Sequence, residues 1–286
     1  MLSNKASEIM TREIITLDAS STVYDAIALM AEKKVGRLLI TDKQTPAGFF
    51  TERDVLRRVM NKKLDAKKTS IKKVMTSPIR AVSQDTHIVE ALGTMYQNKF
   101  RHLLLQDEKG SIIGMVSMRR ILKLAAELGR GLAETQTIGS IMSRELVTVD
   151  AGQTIFYTLE IMIKKDTDCV ILLSRGEPKG IFTERDVLVR VAVKEIDTRK
   201  TPTSEVMTAD FVTMAHSALV GEVLDEMYHR GFRHVPIRGD RGELVGIVSM
   251  RDVLKYAKAF DIDENVRKTW KEIEEFWDSE EHYTPG

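Results

Sequence analysis

Four glycines spaced 66 residues apart mark a segment that recurs along the chain: Gly48, Gly114, Gly180 and Gly246. The segments that begin with them read GFFTERDVLRRV, GMVSMRRILKLA, GIFTERDVLVRV and GIVSMRDVLKYA. A Val/Ile-Met-Thr/Ser triplet opens each copy, and its methionines are Met10, Met75, Met142 and Met207. Because two different sequence motifs recur together at one period, the chain consists of four copies of a single structural repeat.

The four repeats alternate in type, in the order ABAB. Repeat one matches repeat three (TERDVLRRV and TERDVLVRV), and repeat two matches repeat four (FRHLLL and FRHVPI), 132 residues on in both cases. The sequence therefore predicts two tandem pairs, followed by a helical tail. The predicted pairs cover 1–128 (repeats at about 9–60 and 74–127) and 129–260 (repeats at about 141–193 and 206–259), and the tail covers 261–286.

Each repeat is predicted to fold as β-α-β-β-α, in the α/β (α+β) class. The first helix of repeat one places Val23, Ile27, Met30 and Ala31 on one face, and the other repeats show the same stripe. A unit of this size buries little core alone, so we expect the repeats to pack together. In the tail, an apolar stripe on a charged helix is predicted to dock on the repeats or on a second chain; it consists of Val266, Trp270, Ile273 and Trp277.

Composition narrows the class of protein. The 43 Lys and Arg almost balance the 42 Asp and Glu, so no global charge draws the chain to nucleic acid. Cys169 is the single cysteine, which excludes an internal disulfide and fits a cytoplasmic location. No signal peptide or apolar membrane span is predicted. The basic run 53–73 contains no aromatic residue and is interpreted as a solvated linker.

The strand–glycine–helix turn has two chemical interpretations that the residues alone leave open. A helix start offers free N–H groups to an anion, and a carboxylate accepts hydrogen bonds from paired ribose hydroxyls. The same Thr-x-x-Asp spacing is also a capping box, in which hydroxyl and carboxylate only start the helix. Both roles can coexist.

The repeated words resemble CBS domains over residues 9 to 260. The family signature is Gly, two apolar residues, Ser or Thr, two further residues and Asp, and it is seen at 48–54, 180–186 and 246–252. In that family two repeats pack through their sheets into a Bateman module, whose cleft binds AMP, ADP, ATP or S-adenosylmethionine. The resemblance implies a non-catalytic, regulatory sensor of adenine nucleotides. It also implies a regulated protein partner.

The resemblance assigns roles to residues that match the family motif. Aspartates would accept the ribose hydroxyls, Ser or Thr would lie near phosphate or ribose, Arg-His pairs would face phosphates, and first-strand threonines would line the adenosine pocket. The ribose aspartates would be Asp54, Asp186 and Asp252, and the hydroxyl residues would be Thr51, Ser117, Thr183 and Ser249. The phosphate-facing residues would be Arg101, His102, Arg233 and His234, with Arg37 a weaker candidate. The threonines that line the pocket would be Thr16, Thr148 and Thr213.

Two repeats depart from the pattern. Repeat two has Arg120 in place of the aspartate, so it either lacks a ribose site or lends its arginine to a neighbouring phosphate. Repeat three has Asp168 and Cys169 where repeats two and four have Arg-His, which disfavours a polyphosphate there. Repeat four combines all the features, so the pocket with Asp252 is predicted first.

Other functions remain as alternatives. The chain contains no Gly-x-Ser-x-Gly elbow, no Walker loop and no metal-type histidine spacing, so we expect neither an enzyme nor a metal site. A scaffold or nucleic-acid-associated regulator with vestigial pockets is the main alternative, and a binder of S-adenosylmethionine or NAD is another. The predicted assembly is a homodimer or a self-closed disc of four repeats, with no membrane partner and no nucleic acid expected.

Overall fold

The structure, a computed structural model, describes residues 5–98, 101–118, 120, 121, 136–250, 252 and 253. The apolar stripe predicted between 266 and 277 lies outside these residues.

Each repeat contains one three-stranded sheet in which the first strand is parallel to the middle strand and the third is antiparallel to it. One helix connects the first two strands, so the mixed α+β class is confirmed. The strands are β1 Thr16–Asp18, β2 Arg37–Asp42, β3 Thr45–Thr51, β4 Ala81–Ser83, β5 His102–Gln106, β6 Ile112–Ser117, β7 Thr148–Asp150, β8 Cys169–Ser174, β9 Glu177–Thr183, β10 Met214–Ala215, β11 His234–Arg238 and β12 Leu244–Ser249. The connecting helices are α1 Val23–Glu32, α2 Ile88–Gln97, α3 Ile155–Lys164 and α4 Val220–Arg230.

Helix α1 begins at a capping box and packs by its predicted apolar stripe. Thr22 forms a capping box with Asp25 at the start of α1, which satisfies backbone N–H groups that the first turn leaves unpaired. Val23, Ile27 and Met30 are buried against the sheet. Ala31 lies at the edge of this stripe and is half-buried, since Ala26 occupies the buried position on the same face.

Repeat one has a tight hairpin between its second and third strands. Strand β3 begins at Thr45, three residues before the period glycine Gly48. The turn is made by Lys43 and Gln44, which both have positive φ angles of 51° and 68°. Two left-handed residues match the twist of the flanking strands, so a two-residue hairpin forms without the glycine that usually signals it.

A second helix follows the third strand in both odd-numbered repeats. In repeat one it begins with Glu52–Asp54 and widens into π-helical turns over Val55–Met60. In repeat three the same change occurs between Glu184–Asp186 and Val187–Ala192. The Thr-Glu-Arg-Asp motif therefore begins this helix, as predicted.

The chain contacts divide it into two compact units, each of which combines alternate repeats. The odd unit consists of 14–79 and 146–211, and the even unit consists of the described residues within 1–13, 80–145 and 212–286. The pairing of consecutive repeats, predicted at 1–128 and 129–260, stays a prediction.

Each compact unit has its own hydrophobic core. In the odd unit, Phe50 and Phe182 are fully buried, and the second helices of repeats one and three pack together. In the even unit, α2 and α4 contribute Met95 and Met227 to a core that includes residues of both repeats. Two small repeats thus share one core, which offsets the small area that either could bury alone.

Candidate functional site

The period glycines and the opening methionines form a single type of contact. A Cβ atom on Gly48 would lie 2.7 Å from Met75 Sδ and 2.9 Å from the carbonyl oxygen of Thr76, and one on Gly180 would meet Met207 at 2.5 Å. Met10 and Met142 cover Gly114 and Gly246 in the same way. The opening segment of another repeat thus lies directly against each period glycine. The sequence showed the glycine motif and the methionine triplet, but not the contact between them.

Backbone pairing supports this contact. The amide and carbonyl groups of Phe49 and Thr76 exchange two hydrogen bonds, and Ile181 and Thr208 do the same. In the even unit, Thr11 pairs with Met115 and Ser143 with Ile247. Each opening segment therefore adds a short bridge to the edge of a third strand.

Each predicted ribose carboxylate accepts two hydrogen bonds from the Thr or Ser three residues before it, and the reciprocal capping box is complete for Asp54 and Asp186. One oxygen of Asp54, Oδ2, accepts hydrogen bonds from the amide and the hydroxyl of Thr51, at 2.9 and 2.7 Å. Asp186 accepts the same pair from Thr183, at 2.9 and 2.8 Å. Ser249 donates to Asp252 in the same manner, at 2.7 and 2.6 Å. The helix-starting interpretation is therefore present in all three repeats with the aspartate.

In the odd repeats, the second carboxylate oxygen of the motif aspartate contacts an arginine. Asp54 Oδ1 lies 3.2 Å from Arg58 Nε, and Arg58 Nη1 donates to the carbonyls of Val74 and Met75 at 2.9 and 2.8 Å. The arginine thus connects the aspartate to the opening segment of repeat two. A sequence signal for this contact existed, because the arginine follows the aspartate by four residues.

Repeat three reproduces the arrangement. Asp186 Oδ1 lies 3.3 Å from Arg190 Nε and accepts a hydrogen bond from the Thr208 hydroxyl at 3.3 Å. Arg190 Nη1 donates to the carbonyls of Val206 and Met207. Asp54 and Asp186 are each only 5% exposed.

Burial sets the protonation behaviour of these two carboxyl groups. Loss of water raises the pKa of Asp54, although hydrogen bonds from Thr51 and the charge of Arg58 act in the opposite direction. Desolvation likewise raises the pKa of Asp186 against Thr183 and Arg190. Their charged forms are thus less favourable in the folded protein than in water.

Asp252 lies in a more open environment. Its side chain is half-buried, and within the described residues its hydrogen bonds come from the amide and hydroxyl of Ser249, both to Oδ2. Tyr256, and not an arginine, stands four residues later in the sequence.

Strand register brings the predicted phosphate residues to the hydroxyl residues. His102 lies opposite Ser117, and His234 lies opposite Ser249, at the ends of antiparallel strands. The carbonyls of Arg101 and Arg233 accept from the amides that follow these serines, Met118 and Met250, at 3.0 and 3.3 Å. In repeats one and three the same register places Arg37 opposite Thr51 and Cys169 opposite Thr183. The Arg120 side chain is exposed, and its amide donates to Ser117 Oγ at 3.2 Å.

The first-strand threonines occupy matching positions. Thr16 and Thr148 are exposed at the start of β1 and β7. Thr213 comes directly before β10, and its hydroxyl accepts from Arg238 Nε at 2.9 Å. Their predicted role at an adenosine pocket stays a prediction.

Two buried glutamates were not singled out by sequence. Glu52 and Glu184 are each 1% exposed, and they pair reciprocally with arginines of the other repeat in the odd unit. Arg185 Nη1 lies 3.1 Å from Glu52 Oε1, and Arg53 Nε lies 3.4 Å from Glu184 Oε1. The even repeats have Met118 and Met250 at these positions, which was the available signal.

The part of the chain that the structure describes contains no group of three or more His, Cys, Asp or Glu side chains placed to hold a metal ion. No described helix has the length and apolar character to cross a bilayer.

Comparisons with known proteins agree with the fold. The family model for the CBS domain matches residues 6–61, 71–127, 138–193 and 204–259. An Arabidopsis thaliana relative, the CBS domain-containing protein CBSCBSPB1, is 26% identical over 95% of this chain and 58% of its own length. A second, CBSCBSPB5, is 25% identical over 82% of this chain and 50% of its own length, so the chain spans little more than half of these relatives.

A solved structure extends the likeness to all four repeats. Protein MJ1225 from Methanocaldococcus jannaschii has a TM-score of 0.74 and 18% identity, over 88% of this chain and 99% of that one. At this identity the likeness shows the fold alone. Because the family model covers all four repeats, the chain belongs to the CBS domain family.

Proposed function

We propose that this protein is a non-catalytic regulator that binds adenine nucleotides, AMP, ADP or ATP, with repeat four as the principal site. Membership of the CBS family supports a regulatory ligand-binding role. The nucleotide, the regulated partner and a cytoplasmic location belong to the proposal. Repeat four is chosen because its sequence and its register satisfy each chemical requirement together.

The observation that carries the proposal is the convergence of four residues at one pair of strand ends. His234 lies opposite Ser249 in register, Arg233 precedes it, and Ser249 holds Asp252 by two hydrogen bonds. Asp252 would accept the ribose hydroxyls with its remaining acceptor sites, and Arg233 with His234 would contact phosphate oxygens. Repeat two has the Arg-His pair without the aspartate, so its ribose contact would be missing.

Binding would act by shifting populations of conformations. A nucleotide can favour one conformation only by the difference between its affinities for the two. The opening segment 138–145 is the element placed to respond, because Ser143 pairs with Ile247 on β12, the strand that ends at Ser249. A partner protein would recognise the resulting change.

Titration calorimetry of the full chain with AMP, ADP, ATP, S-adenosylmethionine and NAD tests the proposal. We expect Asp252→Asn to weaken adenine-nucleotide binding by about 10- to 100-fold, since it removes charged hydrogen bonds to the ribose. Asp225→Asn, an exposed carboxylate of α4, is the matched control and should leave the affinity unchanged. No heat with any adenine nucleotide at millimolar concentration would refute the proposal.

A nucleic-acid-associated scaffold is favoured by one observation in the odd unit. Lys63 and Arg199 lie over the ring of Phe156, at 5.2 and 4.3 Å, and Lys67 lies 5.1 Å from the ring of Tyr24. The basic linker thus has aromatic neighbours that its own sequence lacks. Salt-dependent binding of a single-stranded oligonucleotide, lost in Lys63→Glu with Arg199→Glu and retained in Asp252→Asn, would support this alternative.

A further inference from the structure

We infer that Asp54 with Arg58, and Asp186 with Arg190, are two latches that hold opening segments onto the odd repeats, and that ribose recognition is left to Asp252. The latched segments are 71–79 and 203–211. The part that concerns ribose rests on the proposed function, whereas the latches do not. The inference separates three aspartates that share one motif.

The free acceptor capacity of each carboxylate decides between the roles. A carboxylate has about four lone-pair sites, and a ribose diol needs two of them. Asp186 is filled by the Thr183 amide and hydroxyl, Arg190 Nε and the Thr208 hydroxyl. A diol could bind Asp186 only by displacing two of these groups.

Asp54 and Asp252 also differ in the number of acceptor sites that internal donors occupy. Asp54 accepts the Thr51 amide and hydroxyl and faces Arg58 Nε, which leaves about one of its four sites. Asp252 is contacted, within the described residues, only by the two donors of Ser249, which leaves about two. The half-buried Asp252 is therefore the carboxylate that can accept both hydroxyls without losing a contact.

The arginines explain what the filled carboxylates do. Arg58 and Arg190 each bond to an aspartate through Nε and to two consecutive carbonyls of an opening segment through Nη1. The planar guanidinium suits such a three-point contact, and its orientation depends on a buried carboxylate that is itself held by a helix cap. Aspartate and arginine thus position the Met75 and Met207 segments over Gly48 and Gly180.

The even repeats cannot form this latch. Repeat two has Arg120 in place of the aspartate, and repeat four has Tyr256 in place of the arginine. Neither even repeat therefore has, in its sequence, the Asp and Arg four residues apart that contact the segments carrying Met75 and Met207. The segments that carry Met10 and Met142 are the opening segments that ligand binding can release at lower cost.

Hydrogen exchange of the full chain, read by mass spectrometry, tests the latches. The amides of Thr76 and Thr208 report on them, because they donate to the carbonyls of Phe49 and Ile181 at 2.7 and 2.9 Å. We expect Arg58→Gln with Arg190→Gln to speed exchange in 71–79 and 203–211 by at least about tenfold, because charge-assisted hydrogen bonds are lost. Segment 136–145 should keep its rate.

Two further variants keep the test decisive. Arg57→Gln removes a neighbouring arginine that pairs with Asp166 instead, and it should leave exchange in 71–79 unchanged. If the glutamine variants do not fold, Arg58→Lys with Arg190→Lys replaces them, because lysine can reach the carboxylate but cannot also bridge two carbonyls. Unchanged exchange in 71–79 and 203–211 in the folded variants would overturn the latches.

Calorimetry separates this inference from the proposed function. Asp54→Asn with Asp186→Asn should leave AMP affinity within about twofold of the wild type, whereas Asp252→Asn should lower it. If the double variant loses as much affinity as Asp252→Asn, the assignment of ribose to Asp252 alone is wrong, and nucleotide binding stands. If the wild type binds no nucleotide, the proposed function fails, and the exchange result still decides the latches.

Discussion

The odd and even units have the same repeat architecture and use its strand-to-helix turn differently. In the odd unit, Glu52 and Glu184 are buried in reciprocal ion pairs, and internal donors contact Asp54 at three acceptor sites and Asp186 at four. In the even unit, methionines replace these glutamates, and Asp252 is half-buried. The comparison indicates that one duplicated turn can serve either to fasten the protein together or to present a carboxylate.

The free energy of burying a charge explains why one carboxylate would not both hold an opening segment and bind a ligand. A buried carboxylate costs free energy unless it is paired, so a residue that fastens a segment must keep its partners permanently. A ligand site requires the opposite, because acceptors that are filled in the free protein must first be emptied. The same aspartate therefore cannot perform both roles at full strength.

The largest expected loss of stability comes from replacing a buried glutamate of the odd unit by the methionine that the even repeats have at the same position. Glu184→Met leaves Arg53 without its buried partner and should lower the free energy of unfolding by about 2 kcal/mol. The loss stays below the about 3–5 kcal/mol of a fully buried pair, because Arg53 is 28% exposed. Urea denaturation measures it, with the exposed Glu205→Met as control.

Adding Arg53→Met should recover most of that loss, because an apolar pair needs no desolvation of charge. If Glu184→Met has no more effect than Glu205→Met, the reciprocal pairs do not stabilise the odd unit.

Alanine at the period glycines measures how firmly each unit holds its opening segment. A Cβ atom on Gly180 would lie 2.9 Å from the carbonyl oxygen of Thr208, and one on Gly246 would lie 2.7 Å from the carbonyl oxygen of Ser143, so each opening segment must shift to accommodate it. Gly180→Ala should cost about 1 kcal/mol and Gly246→Ala less, because the unlatched segment can shift away. Thermal unfolding compares the two, and equal losses would contradict the difference between the units.

The smallest expected effect is a pH dependence confined to the odd unit. Burial raises the folded-state pKa of Asp54 and Asp186, so the native chain holds these protons at higher pH than the unfolded chain. Stability relative to Asp54→Asn with Asp186→Asn should therefore rise as the pH falls through the raised pKa toward about 4. Denaturant titrations over this range measure it, and a difference that falls instead would show that the ion pairs outweigh burial.

The sequence predicted the hydrogen-bonding groups of the strand-to-helix turn, and their role in binding a ligand stays a prediction. The Ser249 and Asp252 spacing marked both a helix cap and a ribose acceptor, and the structure shows the cap. The four-residue spacing from Asp54 to Arg58 was visible in the sequence. Its meaning depended on the carbonyls of Val74 and Met75, which a local pattern does not bring to it.

Local order was determined by the sequence itself: four repeats, their β-α-β-β-α order, the apolar helix stripes and the helix-starting word. These features depend on residues a few positions apart, so periodicity and capping chemistry reveal them. Only the tertiary structure decided that alternate repeats share a core, that Met75 covers Gly48, and which donors the Asp186 and Asp252 oxygens accept from among the described residues. Those outcomes depend on packing and hydrogen bonds between residues distant in the chain, where burial determines which partner each polar group keeps.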